Sequence, residues 1–246
     1  MGRVALHERA TARALGDMTN MTINTSHAVR AQRHEPKDSL DFFGTNPWAT
    51  RALIEHVMEP LGLFDAHDRV WEPACGQGHM VRALREYYGT SVKASDIHDY
   101  MGNTVSPIKG FFVSDFLSDA AHEQVDWVIT NPPFNLLQPF IDRALEVSRK
   151  GVAIFGPLTM LETVGRYESI FRPYEGRFTI APFVERCPTN KGAPKKNATT
   201  ASAYAWLLIC HDRAMRPLIH IPPCRKRLEL NGDYPADPQR KGEVLR

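Results

Sequence analysis

Apolar residues recur along the chain in two alternating rhythms. Ala49, Leu53, Ile54, Val57, Met58 and Leu61 repeat every three to four positions, which predicts a helix over Trp48 to Leu61. Arg69–Ala74 is a short apolar run that predicts a buried strand ending in a Gly-rich turn. Met80, Val81, Leu84 and Tyr88 then mark the face of a second helix. Strands are expected at Ser91–Ile97, Gly110–Val113 and Val125–Thr130. An amphipathic helix follows from Leu136 to Val147, with Leu137, Phe140, Ile141, Ala144, Leu145 and Ser148 on one side. Gly151–Gly156 predicts a strand and Met160–Phe171 a helix. Arg177–Glu185 and Ala203–Cys210 predict two last strands with no helix between them. Alternating strands and helices closed by a hairpin-like pair imply an α/β fold. The expected sheet is doubly wound and mostly parallel, with an antiparallel final strand.

Residues 1–37 are mixed polar and lack a sustained period, so they are expected to form a mobile arm. The chain of 246 residues carries 30 Lys+Arg against 28 Asp+Glu, a net charge of +2, which excludes a polybasic protein acting through global charge. No apolar run approaches the roughly 18 residues of a spanning helix, and the first residues lack the apolar core of a secretory signal. Cys75, Cys187, Cys210 and Cys224 lie far apart, which implies reduced thiols rather than a zinc site or a disulfide framework. These features imply a soluble protein of the cytoplasm, with no metal and no membrane partner.

Candidate chemistry begins at Glu72-Pro-Ala-Cys-Gly-Gln-Gly-His79, between the first strand and a helix. Gly76 and Gly78 permit a tight turn and close approach of a ligand to the backbone, beside the free N–H groups of a helix start. A dinucleotide fingerprint would need a glycine at position 81, where Val81 stands. Glu72 would also repel a pyrophosphate. It suits instead a ligand bearing an ammonium group near a carboxylate. Asp96 ends the second strand, where an acid can accept from ribose hydroxyls, and Asp115 with Phe116 follows the third. That pair could accept from an adenine amino group and pack on the purine.

The fourth strand runs into Asn131-Pro132-Pro133-Phe134. This tetrapeptide resembles that of the amino-methyltransferases, which methylate exocyclic or planar-amide nitrogens from S-adenosylmethionine. Its N-P-P-F form is most similar to the N6-adenine DNA methyltransferases. The chemistry accounts for the residue types. A conjugated amino nitrogen is a poor nucleophile. Acceptors on its N–H bonds, the Asn131 side-chain oxygen and the Pro132 carbonyl, draw it toward tetrahedral geometry. Pro132 and Pro133 fix the backbone, and Phe134 would stack on a base rotated out of a duplex.

The resemblance extends further. Asp41-Phe-Phe-Gly-Thr-Asn-Pro-Trp-Ala-Thr50 is similar to the T-x-P segment that closes over the methionine moiety, and its place before the glycine loop gives a gamma-type motif order. Ile221–Glu229 with Gly232–Tyr234 resembles the tail of small phage and prophage adenine methylases. The resemblance implies a Rossmann-like class I methyltransferase domain over 38–212 and a basic tail over 213–246. It implies contacts from Thr45 and Pro47 to the methionine end, and from Glu72, Gly76 and Gly78 to the cofactor at the loop. Asp96 would serve the ribose, Asp115 and Phe116 the adenine, and Asn131 to Phe134 the target base. The restriction-associated gamma-type enzymes carry a separate target-recognition domain. Only a few dozen residues follow the expected last strand here, so sequence reading is expected from short loops, or specificity is expected to be low.

From Cys187 to Arg227 eight cations stand against one acid, Asp212. The loop Thr189–Asn197, with Lys191, Lys195 and Lys196, is the expected phosphate contact, and DNA the expected partner. The expected activity is transfer of a methyl group to adenine N6 in DNA, in a bacterial or phage-infected cell. RNA adenine, cytosine N4, a protein glutamine amide and a non-catalytic nucleic-acid-binding module are the alternatives.

Overall fold

The computed structural model describes residues 42–103, 107–120, 122–189, 191–196 and 198–234. The expected arm, Asp41, Asn190, Asn197 and everything beyond Tyr234 lie outside the described residues. Seven strands form one sheet: β1 (Val70–Glu72), β2 (Val92–Asp96), β3 (Phe111–Val113), β4 (Val125–Thr130), β5 (Ser148–Pro157), β6 (Phe178–Pro182) and β7 (Tyr204–Cys210). Their order is β3-β2-β1-β4-β5-β7-β6. Pairings among β1 to β5 are parallel, and β7 runs antiparallel to both β5 and β6. The last strand is antiparallel, as its sequence context predicts, but it is inserted between β5 and β6, so β6 forms the sheet edge. Residues 183–203 join β6 to β7, and the two strands pair antiparallel as a hairpin with a long loop. That hairpin can join the sheet through either strand, and all seven residues of β7 are buried on joining β5.

Strand periodicity divides the core into two layers. Trp127, Ile129, Ala153, Phe155, Trp206 and Leu208 face helices α1 (Pro47–Leu53) and α2 (His79–Tyr88). Val128, Val152, Ile154, Ala205, Leu207 and Ile209 face α3 (Leu137–Val147). Trp206 donates from Nε1 to the Ala49 carbonyl at 3.0 Å, which fixes α1 on the sheet. Among the described residues no helix is long and apolar enough to cross a membrane.

Three local expectations change. The first helix is α-helical only over Pro47–Leu53 and continues as a π-helix over Ile54–Met58. Ser148 is the first residue of β5 rather than part of the helix face, because the chain turns extended there (φ −98°, ψ 145°). The expected helix Met160–Phe171 is broken into a 3₁₀ turn (Leu158–Leu161), α4 (Val164–Arg166) and a π turn (Tyr167–Phe171). Thr163 causes the break: it holds φ 101°, and its side chain caps α4 by accepting from Arg166 N. The segment from Arg213 to Tyr234 packs on the same body through buried Ile221, Cys224 and Leu228. The last two flank or belong to α5 (Arg225–Leu228).

Candidate active site

The strand order reverses between β1 and β4, so the loops after β1, β2, β3 and β4 converge at one end of the sheet. β1 delivers Glu72 fully buried, with its Oε1 accepting from Ala74 N at 3.0 Å and from Thr130 Oγ1 at 2.5 Å. Burial pushes the Glu72 carboxyl up to about 8, against the opposing effect of those two bonds. Gly76 (φ +50°) and Gly78 (φ +77°) then turn the chain into α2, and Gly76 N donates to Asp96 Oδ2 at 2.8 Å. A Cβ on Gly76 would lie 2.2 Å from the Phe42 ring, and one on Gly78 2.3 Å from Ile108 Cγ1. The loop is a cradle that a side chain would fill.

Asp96 is buried at the end of β2 and accepts also from His98 N at 3.1 Å. Burial raises its pKa, opposed by these backbone bonds. Asp115 is exposed, and its Oδ1 accepts from Leu117 N at 2.9 Å. Both acids line one cleft together with Phe42, Ile97, Tyr100 and Asn131. Phe116 also borders it but sits mainly in the core, 1% exposed and edge-on to Trp71 at 5.0 Å. Ile97, 62% exposed, offers the cleft an open apolar side chain. Phe42 stacks on Tyr100 at 4.7 Å beside the glycine loop. Ile97, Tyr100, Phe42 and His79 were not singled out from sequence. Their signal was adjacency to the motifs: one residue past Asp96, four past it, within the T-x-P segment, and one past Gly78.

β4 carries Asn131 to the mouth of this cleft. Its Nδ2 donates to the Phe43 carbonyl at 2.9 Å and to Thr45 Oγ1 at 3.0 Å. Its Oδ1 is buried without a partner among the described residues. Pro132 is buried behind it, and Pro133 (φ −53°, ψ 128°) leads into a 3₁₀ turn over Phe134–Leu136. The Phe134 ring stacks on Phe43 at 6.3 Å. Thr45 is buried, and Pro47 opens α1 in the position where its missing N–H costs nothing.

The T-x-P segment also joins the basic loop. Gly44 N donates to Gly192 O at 3.0 Å, and Gly192 N to Phe42 O at 2.9 Å. Lys191, Lys195 and Lys196 are exposed on this loop. Of the eight cations, Arg213, Arg225 and Arg227 are engaged within the fold. Arg225 pairs with Glu229 at 2.9 Å and donates to the Lys196 carbonyl, while Arg227 pairs with Glu55 at 2.5 Å. Arg213 donates instead to the carbonyls of Leu61 and Gly62, in the connection that leads to β1. The four cysteines are free and buried, and the described residues contain no group of three His, Cys, Asp or Glu placed to hold a metal ion.

The strand order, the antiparallel β7 and the loop cluster define the Rossmann-like fold of class I S-adenosylmethionine-dependent methyltransferases. A Listeria monocytogenes protein ascribed to that class superposes with a TM-score of 0.52 at 17% identity, over 79% of this chain and 69% of its own. A Pyrococcus horikoshii protein ascribed to the RNA methyltransferases gives a TM-score of 0.49 at 17% identity, over 83% of this chain and 98% of its own. In sequence the chain is 27% identical over 151 residues to the Type II methyltransferase M.TthHB8I of Thermus thermophilus. That stretch is 60% of this chain and 31% of the relative, so the chain matches less than a third of that protein's length. No protein-family model matches the chain.

Proposed function

We propose that the protein transfers a methyl group from S-adenosylmethionine to the exocyclic N6 of adenine in DNA. The observation that carries this reading is the orientation of Asn131. Both hydrogens of its amide are engaged by Phe43 and Thr45, so its oxygen is the atom left to accept from an incoming amino group. The cofactor reading is supported by the glycine cradle and by the buried Nε2 of His79, which has no partner among the described residues. Glu72, Gly76 and Gly78 hold the methionine end with Thr45 and Pro47, and Asp96 and Asp115 serve the ribose and adenine. When bound, S-adenosylmethionine supplies the methyl group as an electrophile carried on a sulfonium centre.

The chain's own residues then act on the acceptor. Asn131 Oδ1 and the Pro132 carbonyl draw the amino nitrogen out of conjugation and stabilise the charge that develops on it. Phe134 and Phe43 provide the aromatic faces for a flipped base. The DNA assignment is supported by the N-P-P-F form and by the lysines on the loop hydrogen-bonded to the T-x-P segment. The test is incubation with methyl-labelled S-adenosylmethionine and duplex DNA, single-stranded DNA, RNA or protein, followed by nucleoside and peptide analysis. N6-methyladenine in DNA is the expected product. N4-methylcytosine, label confined to RNA or protein, or cofactor binding without any transfer overturns the reading.

A further inference from the structure

His79 is the first residue of α2, a helix of ten residues whose opening N–H groups have no intrahelical partners. The residue is 7% exposed, and Nε2 is buried without a hydrogen-bond partner among the described residues. A buried polar nitrogen left unpaired is costly, and such atoms are rare unless a ligand or water completes them. The imidazole lines a small cavity beside the main cleft together with Thr45, Glu72 and Asn131. Burial first, and then the nearby Arg82, lower its pKa to about 4, while Asp233 acts the other way. The ring is therefore neutral near pH 7, with one nitrogen able to donate and the other to accept.

The cavity presents two opposite demands. On one side stand a helix start and a neutral imidazole, which favour an anion. On the other stands the carboxyl of Glu72, kept protonated by burial, which an ammonium group beside it would ionise and pair with. A phosphate would satisfy only the first. A zwitterionic α-amino acid end satisfies both, with its carboxylate toward α2 and its ammonium toward Glu72.

We propose that His79 recognises the α-carboxylate of the methionine end of the cofactor by donating from Nε2. This assignment rests on the cofactor reading above and adds a contact outside the residues implied by the sequence resemblance. It makes His79 a discriminator between cofactors with and without the carboxylate.

Calorimetric titration of the full chain with S-adenosylhomocysteine and with S-adenosyl-3-thiopropylamine, which keeps the ammonium and lacks the carboxylate, tests it. His79→Ala is expected to weaken S-adenosylhomocysteine by about 10- to 100-fold, the worth of a charge-assisted bond, and the decarboxylated analogue by less than about twofold. His79→Gln, which returns a donor near the Nε2 position, is expected to recover part of the loss. Equal losses for both ligands would mark His79 as merely structural and overturn the proposal, as would no loss for either. Wild-type protein that bound neither ligand would overturn the cofactor reading itself, an outcome distinct from the other two.

Discussion

Asn131 Nδ2 lies 3.0 Å from Thr45 Oγ1, so the residue expected to face the target base is also a strut for the segment expected to cover the cofactor. The second hydrogen of the same amide reaches the Phe43 carbonyl at 2.9 Å. Asn131→Ala therefore removes an acceptor from the chemical step and two supports from the T-x-P segment. Turnover is expected to fall by about 10²- to 10³-fold, the usual cost of one preorganised polar group at a developing charge. Affinity for S-adenosylhomocysteine is expected to fall by no more than about 30-fold, since the two neutral hydrogen bonds removed are worth ~1 kcal/mol each. Single-turnover rates and calorimetry separate the two effects. Full turnover in the variant would remove Asn131 from the mechanism.

Glu72 gives a pH signature in stability. Its carboxyl is raised from an ordinary 4.5 to about 8. Between those values the folded protein holds a proton that the unfolded chain has released. The contribution is complete below about pH 4.5 and is lost as pH rises through about 8. A tenfold difference in proton affinity between the folded and unfolded states corresponds to ~1.4 kcal/mol, so wild type should lose several kcal/mol relative to Glu72→Gln across this window. Urea midpoints of both proteins at pH 5, 7 and 9 measure the difference. His79 titrates in both proteins and cancels in the comparison. Parallel curves would mean that Glu72 is ionised inside the fold.

The basic loop separates charge from scaffold. Gly192 pairs with Phe42 and Gly44 through backbone atoms alone, so replacing Lys191, Lys195 and Lys196 by Ala leaves that ladder intact. If the three lysines neutralise phosphates, the slope of log affinity against log salt should become shallower by about 0.9 for each lysine replaced, roughly two to three in all. Fluorescence anisotropy with duplex DNA between 50 and 200 mM salt (about one decade of expected affinity change or more) reads this slope. S-adenosylhomocysteine affinity should stay near wild type. An unchanged slope would take the loop out of the DNA interface.

The elements open to sequence reading are those set by local periodicity and turn chemistry. Val125–Thr130 is found at its predicted bounds because its apolar run is closed by Asn131 and two prolines. The glycine loop and the acids after β1, β2 and β3 converge because parallel strands present their ends together. What depends on distant partners was hidden. The position of β7 is decided by pairing with β5, and the break after Leu161 by one threonine at φ 101°. Phe116 has the sequence position of a ligand contact and borders the cleft, but its packing on Trp71 and Phe140 is a relationship that the sequence does not show. His79 gave no sign of burial, since a histidine after a glycine turn is as readily exposed.

The most distant of these hidden relationships joins Arg51 to Asp233, and it yields a stability prediction with an internal control. The Arg51 guanidinium, 5% exposed, donates to both carboxylate oxygens of Asp233 at 2.8 Å and to the Leu228 carbonyl at 2.7 Å. It also donates to both oxygens of Glu86 at 2.7 Å. Burial works against the charge, but the hydrogen bonds from Glu86 and Asp233 outweigh it and hold the Arg51 pKa above its ordinary value. Asp233 is as deeply buried as its partner, whereas the Glu86 side chain is 41% exposed and shares its charge with water. Asp233→Ala would leave the buried cation with only the partly exposed Glu86 as counter-ion and should cost about 1.5–3 kcal/mol, the worth of hydrogen bonds to a charged group. Glu86→Ala should cost far less, because a carboxylate at that exposure is screened by solvent. The same bonds fasten the chain after α5 to α1, so truncation before Asp233 should match the point substitution. Urea unfolding of the three variants gives the order directly. A larger loss for Glu86→Ala than for Asp233→Ala would show that the exposed pair, not the buried one, secures the C-terminal segment.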